Sequence, residues 1–224
     1  MDLNLIEKFI VLAIDYKKGN FVIDTLSLNY GIAGAILLEM SELNKIAVEK
    51  KRIYISDSKP INDKIIDVCI KLIESTTKKR RTKYWINKIG NKASGFKKII
   101  LKELSHKNIL SITTKKYFWG IFTSHKYKLL NIQVAESIKS KLKKIVLENE
   151  KPDLESVLLL SLMNTCKLIR ILFVSKSEYK AASKRIKELT QNIEISQAVS
   201  ETLKEIQAAV AIAASSAFIG ATSS

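Results

Sequence analysis

Proline and glycine are scarce in this 224-residue chain, with two and seven copies. So few breakers disfavour the many tight turns of a β-sandwich or barrel and leave room for long helices. Cysteine is scarcer in any useful arrangement: Cys69 and Cys166 lie far apart, outside CxxC spacing, and read as two buried free thiols of a reducing compartment. His106 and His125 have no cysteine, acid or second histidine at ligand spacing, so no metal is expected. GxSxG, HExxH, GxxxxGK[ST] and GxGxxG are all missing. No catalytic residue, no cofactor and no enzyme activity is expected.

Long apolar runs are missing too. Asp2, Glu7, Lys8 and Asp15 interrupt the N-terminal run, which therefore lacks the form of a secretory signal. The run Ile206–Ser224 is uncharged but dominated by alanine and serine, and reads as a buried helix followed by a frayed tail from about residue 218. The apolar fraction of 46% excludes disorder as the default state. The expectation is a single domain over 1–224, soluble and cytoplasmic, with any membrane contact peripheral and on the cytosolic face.

What the chain has is basic charge in one place. Residues 78–144 hold 19 of the 38 Lys and Arg with only two acids, Glu103 and Glu136, a net +17. The flanks, 1–77 and 145–224, carry −1 and 0, so the whole excess of +16 sits in this stretch. Eight of the 16 aromatics sit there as well, including Tyr84, Trp85, Phe96 and Tyr127. Cations interleaved with aromatics suit a polyanion, either a phosphate-bearing membrane or a nucleic acid.

Periodicity supplies the elements. Leu3–Ile14 is apolar on most sides, as a buried helix would be. Lys17-Lys18-Gly19-Asn20 turns into an extended Phe21-Val22-Ile23. Asn29 is expected to cap a second helix to about Leu43, with Gly31 and Gly34 admitting a neighbouring backbone. Ile46–Ile55 reads as extended, with a turn where the alternation slips near Lys51-Arg52. Helices are expected over Ile61–Ile73, Tyr84–Ile89, Phe96–Leu104, Ile132–Leu147, Leu154–Phe173, Glu178–Leu189 and Ile195 to about Ala217. Ile109–Thr123 differs, being rich in Ile, Thr, Tyr, Phe and Trp on both sides of Lys115-Lys116, a β-hairpin composition. In its second arm Tyr117, Trp119 and Ile121 point one way and Phe118 and Phe122 the other. One apolar face can cover the core; the second must meet a bilayer, a subunit or another element. The fold class expected is mainly α, a helical bundle with surrounding helices and a projecting β-hairpin.

Several stretches, in order, carry a resemblance: Leu5–Leu12, Gly31–Met40, Tyr84-Trp85-Ile86, Thr123-Ser124-His125 closing the hairpin, Glu178-Tyr179 and Lys184–Leu189. Together they resemble the Golgi phosphoprotein 3 family, cytosolic proteins that bind phosphatidylinositol 4-phosphate, from about Leu3 to Ala217. The resemblance implies a helical bundle with a projecting hairpin, peripheral on the Golgi in a eukaryotic cell. It also implies a lipid headgroup pocket built from a tryptophan before the second helix, an arginine between its two glycines, and two arginines three apart before the hairpin. Those positions fall here on Ile23 (or Asp24), Ala33, Ser94 and Lys97, so only Lys97 keeps a positive charge. Lysine also lacks the bidentate fork that suits phosphate. The basic extension that Golgi members use for coat proteins has no counterpart before the match, and coat binding is not expected.

The partner expected is therefore anionic membrane lipid, phosphoinositide included, with Lys92, Lys98 and Lys102 as supporting basic surface. Lys115, Lys116, Tyr117, Phe118, Trp119, Ile121 and Phe122 form a hairpin that meets bilayer or subunit, and a homo-oligomer through that hairpin is expected. A nucleic-acid module using the same surface is the weaker alternative, because RNP, zinc-finger and helix-turn-helix signatures are missing. A third reading makes the hairpin an assembly interface and the lysines incidental.

Overall fold

The Asn4 side chain accepts from the Glu7 backbone N–H at 2.9 Å, and the Glu7 carboxylate accepts from the Asn4 N–H at 3.2 Å. This reciprocal capping box starts α1 (Leu5–Ala13), whose residues are buried on nearly every side. The computed structural model describes residues 3–117, 122–192 and 197–220. After α1 the chain forms a two-residue ribbon, β1 (Ile14–Asp15) paired antiparallel with β2 (Asn20–Phe21).

The second helix, α2 (Thr25–Glu42), begins four residues before the expected cap. Asp24 caps it, accepting from the Leu26 and Ser27 N–H groups at 3.0 and 2.9 Å and from the Ser27 hydroxyl at 2.6 Å. Asn29 therefore lies inside the helix. Gly31 and Gly34 do serve close packing, but against side chains rather than a backbone. A Cβ on Gly31 would sit 2.3 Å from the Phe9 ring, and one on Gly34 would sit 2.8 Å from Leu162 Cδ1. α2 is thereby pressed between α1 and α7 (Leu154–Thr165), and it also packs on α4 (Thr82–Gly90), α5 (Ala93–His106) and α9 (Gln197–Gly220).

β3 (Ile46–Glu49) and β4 (Arg52–Ile55) form the expected hairpin, and its two-residue turn is Lys50-Lys51, both at positive φ (48° and 64°). The Asp63 carboxylate caps α3 (Lys64–Glu74), so Ile61 lies before the helix. The basic connector 78–81 leads to α4 (Thr82–Gly90) and α5 (Ala93–His106), each a turn or so longer than its apolar pattern suggests. α6 (Ile132–Leu147) has the expected bounds.

The apolar run from Leu154 is not one helix. α7 ends at Thr165; Lys167 takes a left-handed φ of 58°, and Leu168–Ile171 is a single 3-10 turn. Leu168, Ile169, Leu172 and Phe173 remain buried, so hydrophobicity reported burial there and not helical continuity. α8 (Lys176–Asn192) and α9 (Gln197–Gly220) complete the chain. The fold is mainly α with small antiparallel strand pairs. Nearly all the buried apolar side chains of α1, α2, α4 and α7 belong to one contiguous cluster. No helix among the described residues is long and apolar enough to cross a membrane.

The third strand pair is β5 (Leu110–Tyr117) with β6 (Phe122–Leu129), in the register Leu110↔Leu129 through Tyr117↔Phe122. Lys115 and Lys116 are paired strand residues opposite Ser124 and Thr123, not the turn between the arms. Tyr117 closes the first arm. Phe118, Trp119 and Ile121 lie outside the described residues, as do the side chains of Lys116, Tyr117 and Phe122. The hairpin is anchored at its base by buried Leu110, Tyr127 and Leu129. Beyond them Ile112, Thr113, Thr114, Lys115, His125 and Lys126 are all exposed, on both faces, so the arms project from the bundle.

Candidate functional site

The base of the hairpin brings three chain segments together. Gly19, at φ 68°, turns the loop between β1 and β2 so that its carbonyl accepts from the Tyr127 N–H at 2.9 Å. A Cβ there would lie 3.2 Å from the Tyr127 carbonyl oxygen, which together with the left-handed backbone favours glycine. Lys126 Nζ donates to the Lys18 carbonyl at 3.0 Å and to Asn20 Oδ1 at 2.7 Å. Phe21 then packs against Tyr127, with ring centroids 5.0 Å apart and the planes tilted by 50°.

Lys97 reaches this cluster from α5. Its ammonium nitrogen lies 5.3 Å from the Phe21 ring centroid, a cation–π contact. Burial, with the neighbouring Lys98 charge adding to it, holds the Lys97 ammonium below the usual lysine range. No carboxylate among the described residues lies within ion-pairing distance of Lys97. A half-buried cation without a counter-charge gains from any anion that comes to it. Around it Lys92, Ser94, Lys98 and Lys102 are exposed, and Lys98 and Lys102 stand one turn apart on α5. The helix start adds to the same field: Lys92 precedes α5 without a side-chain cap, and helix N-termini carry partial positive charge.

The other two sequence-selected positions lie elsewhere. Ala33 is fully buried in the middle of α2 and can offer no group to a ligand. Ile23 is half-buried and lines a cavity of about 660 Å³ with Asp24, Ser27, Lys167 and Arg170; neither Ser94 nor Lys97 lines it. Ser94 and Lys97 share a helix face; Ile23 opens on a different recess. The aromatics of the basic stretch divide in the same way. Trp85 (1% exposed), Phe96 and Tyr127 are core residues, and among the aromatics of the stretch whose side chains are described only Tyr84 lies half-exposed among cations.

The net −1 of residues 1–77 conceals two local basic runs at the turns expected from the sequence, Lys17-Lys18 between β1 and β2 and Lys50-Lys51 leading into Arg52 of β4. Their charge, summed with the acids of the whole segment, had no part in the expected site.

The arrangement can attract anions. Burial pushes the Cys69 and Cys166 thiols up to about 12, with Asp63 and Asp24 adding to it, which keeps them protonated and inert. His106 and His125 are exposed; His125 Nδ1 lies 3.1 Å from the Thr114 hydroxyl. No group of three His, Cys, Asp or Glu side chains among the described residues could hold a metal ion. Over residues 5–208 the sequence matches the family model described as Golgi phosphoprotein 3 (GPP34).

Proposed function

The chain belongs to the Golgi phosphoprotein 3 family, and on that premise we propose that it is a non-enzymatic peripheral adaptor that docks on anionic membrane. Docking uses the cations of α5 (Lys92, Lys97, Lys98 and Lys102) beside the projecting hairpin. The observation that carries this reading is Lys97, half-buried on Phe21, its charge disfavoured by burial and met by no carboxylate among the described residues. Lysines near an anionic surface contribute on the order of 1 kcal/mol each, so these four supply roughly 4 kcal/mol before screening.

Family membership suggests phosphatidylinositol 4-phosphate as the ligand. In this chain Ala33 is sealed in the core and Lys97 is the one cation among the four pocket positions. General attraction to anionic lipid is therefore favoured over tight recognition of one headgroup. Flotation with phosphatidylcholine vesicles, neutral or doped with phosphatidylglycerol, phosphatidylserine or monophosphoinositides, tests this. Binding to every anionic vesicle, with phosphoinositide no more than a few-fold better at equal charge, is expected; an unchanged soluble fraction on adding acidic lipid overturns it.

A second reading gives the hairpin to self-association, favoured by arms exposed on both faces beyond their base. Trp119→Ala separates the two. Lost assembly with unchanged vesicle binding supports a subunit contact, and lost vesicle binding with unchanged assembly supports a bilayer contact.

A further inference from the structure

A second cationic surface is built where two remote segments meet. The connector after α3 runs alongside β4: the Ile53 N–H donates to the Arg80 carbonyl at 3.2 Å, the Thr82 N–H donates to the Lys51 carbonyl at 2.9 Å, and Arg52 and Arg81 form a β-bridge. Arg52 Nη1 also donates to the Lys79 carbonyl at 2.6 Å. These bonds fasten Lys78–Arg81 beside the Lys50-Lys51-Arg52 turn, and all seven cations are exposed. Among the described residues one carboxylate approaches, Glu205, 3.9 Å from Lys51 Nζ, and Glu49 stands opposite Arg52 in the ladder.

The turn itself points to a role for its charge. A two-residue hairpin with both residues at positive φ favours Asn-Gly, whereas here two lysines occupy it. Non-glycine residues held in that region are a conformational expense that an adaptation elsewhere has to justify. Both side chains are exposed, and their one ion pair among the described residues is the long contact of Lys51 with Glu205 at 3.9 Å, which is a small return for the fold.

This surface extends toward α5. Lys79 lies over the Tyr54 ring at 4.4 Å, and Arg80 and Lys88 lie over Tyr84 at 5.0 and 5.4 Å. Lys88 stands one turn after Tyr84 on α4, and Lys92 follows one turn later at the start of α5. Cations thus recur from the β3–β4 turn through the connector and α4 to the start of α5.

We propose that the β3–β4 turn and the connector 78–83 are a second contact for the headgroups of the same anionic bilayer, so that the chain docks at two places rather than one. The proposal rests on the membrane reading above. Headgroups suit it better than nucleic acid, because Lys79 already lies over the half-exposed Tyr54 ring and Arg80 and Lys88 over that of Tyr84, places a stacking base would have to compete for. Lysine-rich charge also suits a diffuse anionic surface better than bidentate recognition.

The test uses Lys50→Asn/Lys51→Gly, which removes two charges while supplying the residues that the turn prefers. The full chain and the variant are floated with phosphatidylcholine vesicles containing phosphatidylglycerol, alongside Lys97→Gln/Lys98→Gln. The turn variant is expected to unfold at a higher temperature than the parent yet to bind vesicles roughly tenfold or more weakly. If the parent and the α5 variant behave as the docking account requires while the turn variant binds like the parent, the second contact is wrong. If the parent ignores anionic vesicles, the membrane reading fails and takes this one with it. Undiminished vesicle binding with weakened binding to a DNA duplex assigns the surface to nucleic acid and also overturns the proposal.

Discussion

Glu39 gives the fold a pH dependence that can be worked out in advance. It lies in α2, and its carboxylate accepts from the Leu5 N–H at 2.8 Å, at the start of α1. Burial pushes its carboxyl up to about 7 from the ordinary 4.5; the charges of Glu42 and Glu155 add to the effect, and the Leu5 hydrogen bond opposes it. Between these two values the folded state holds a proton that the unfolded state has released. Stability from this group is therefore complete below about pH 4.5 and falls as pH rises to about 7, then stays level. A displacement from 4.5 to about 7 corresponds to about 3 kcal/mol at most. Glu39→Gln keeps an acceptor for Leu5 and cannot ionise. In urea unfolding followed by circular dichroism, the variant should match the parent near pH 4.5 and exceed it at pH 8 by about 1–3 kcal/mol. Equal stabilities at pH 8, or a variant weaker there, would refute the argument that this carboxylate is forced to ionise in a buried site.

Further predictions concern packing and the hairpin base. Gly31→Ala drives a methyl group into the Phe9 ring and should destabilise the chain by about 1–3 kcal/mol in the same assay. Gly95→Ala, with nothing within 4 Å of its added Cβ in α5, should instead stabilise it by up to about 1 kcal/mol. Phe21→Ala removes both the ring that packs against Tyr127 and the face under Lys97. Limited proteolysis should then cut β5 or β6 faster than in the parent, and the Lys97 ammonium should return toward the ordinary lysine value in NMR titration.

The elements that the sequence made legible are those where one signal dominates. Ile132–Leu147 has clean helical spacing with lysines on its outer side, and its bounds match. The β3–β4 hairpin showed itself where alternation slipped near Lys51-Arg52, one residue after the turn at Lys50-Lys51 begins. Elsewhere two local solutions competed. Asp24 and Asn29 both suit a helix cap, and Asp24 prevails because its carboxylate is met by two backbone N–H groups and the Ser27 hydroxyl. Leu154–Phe173 is apolar throughout, yet Lys167 turns the chain into the left-handed region and the helix stops. Strand composition announced the long hairpin but could not set its register, which places Lys115 and Lys116 inside the first arm. The candidate site was legible in charge and not in direction. Periodicity gave Lys97, Lys98 and Lys102 a common flank, whereas the contact of Lys97 with Phe21 joins residues 76 positions apart and leaves no local trace.

The central claim is that the α5 cations bring this chain to an anionic bilayer, and one comparison tests it most directly. The parent and Lys97→Gln/Lys98→Gln are floated with phosphatidylcholine vesicles, with and without phosphatidylglycerol, at low and at physiological salt. The account predicts that the parent floats only with the anionic vesicles, less so as salt rises, and that removing the two charges weakens binding roughly tenfold or more. A parent that stays soluble with anionic vesicles, or a variant that floats as well as the parent, would contradict it.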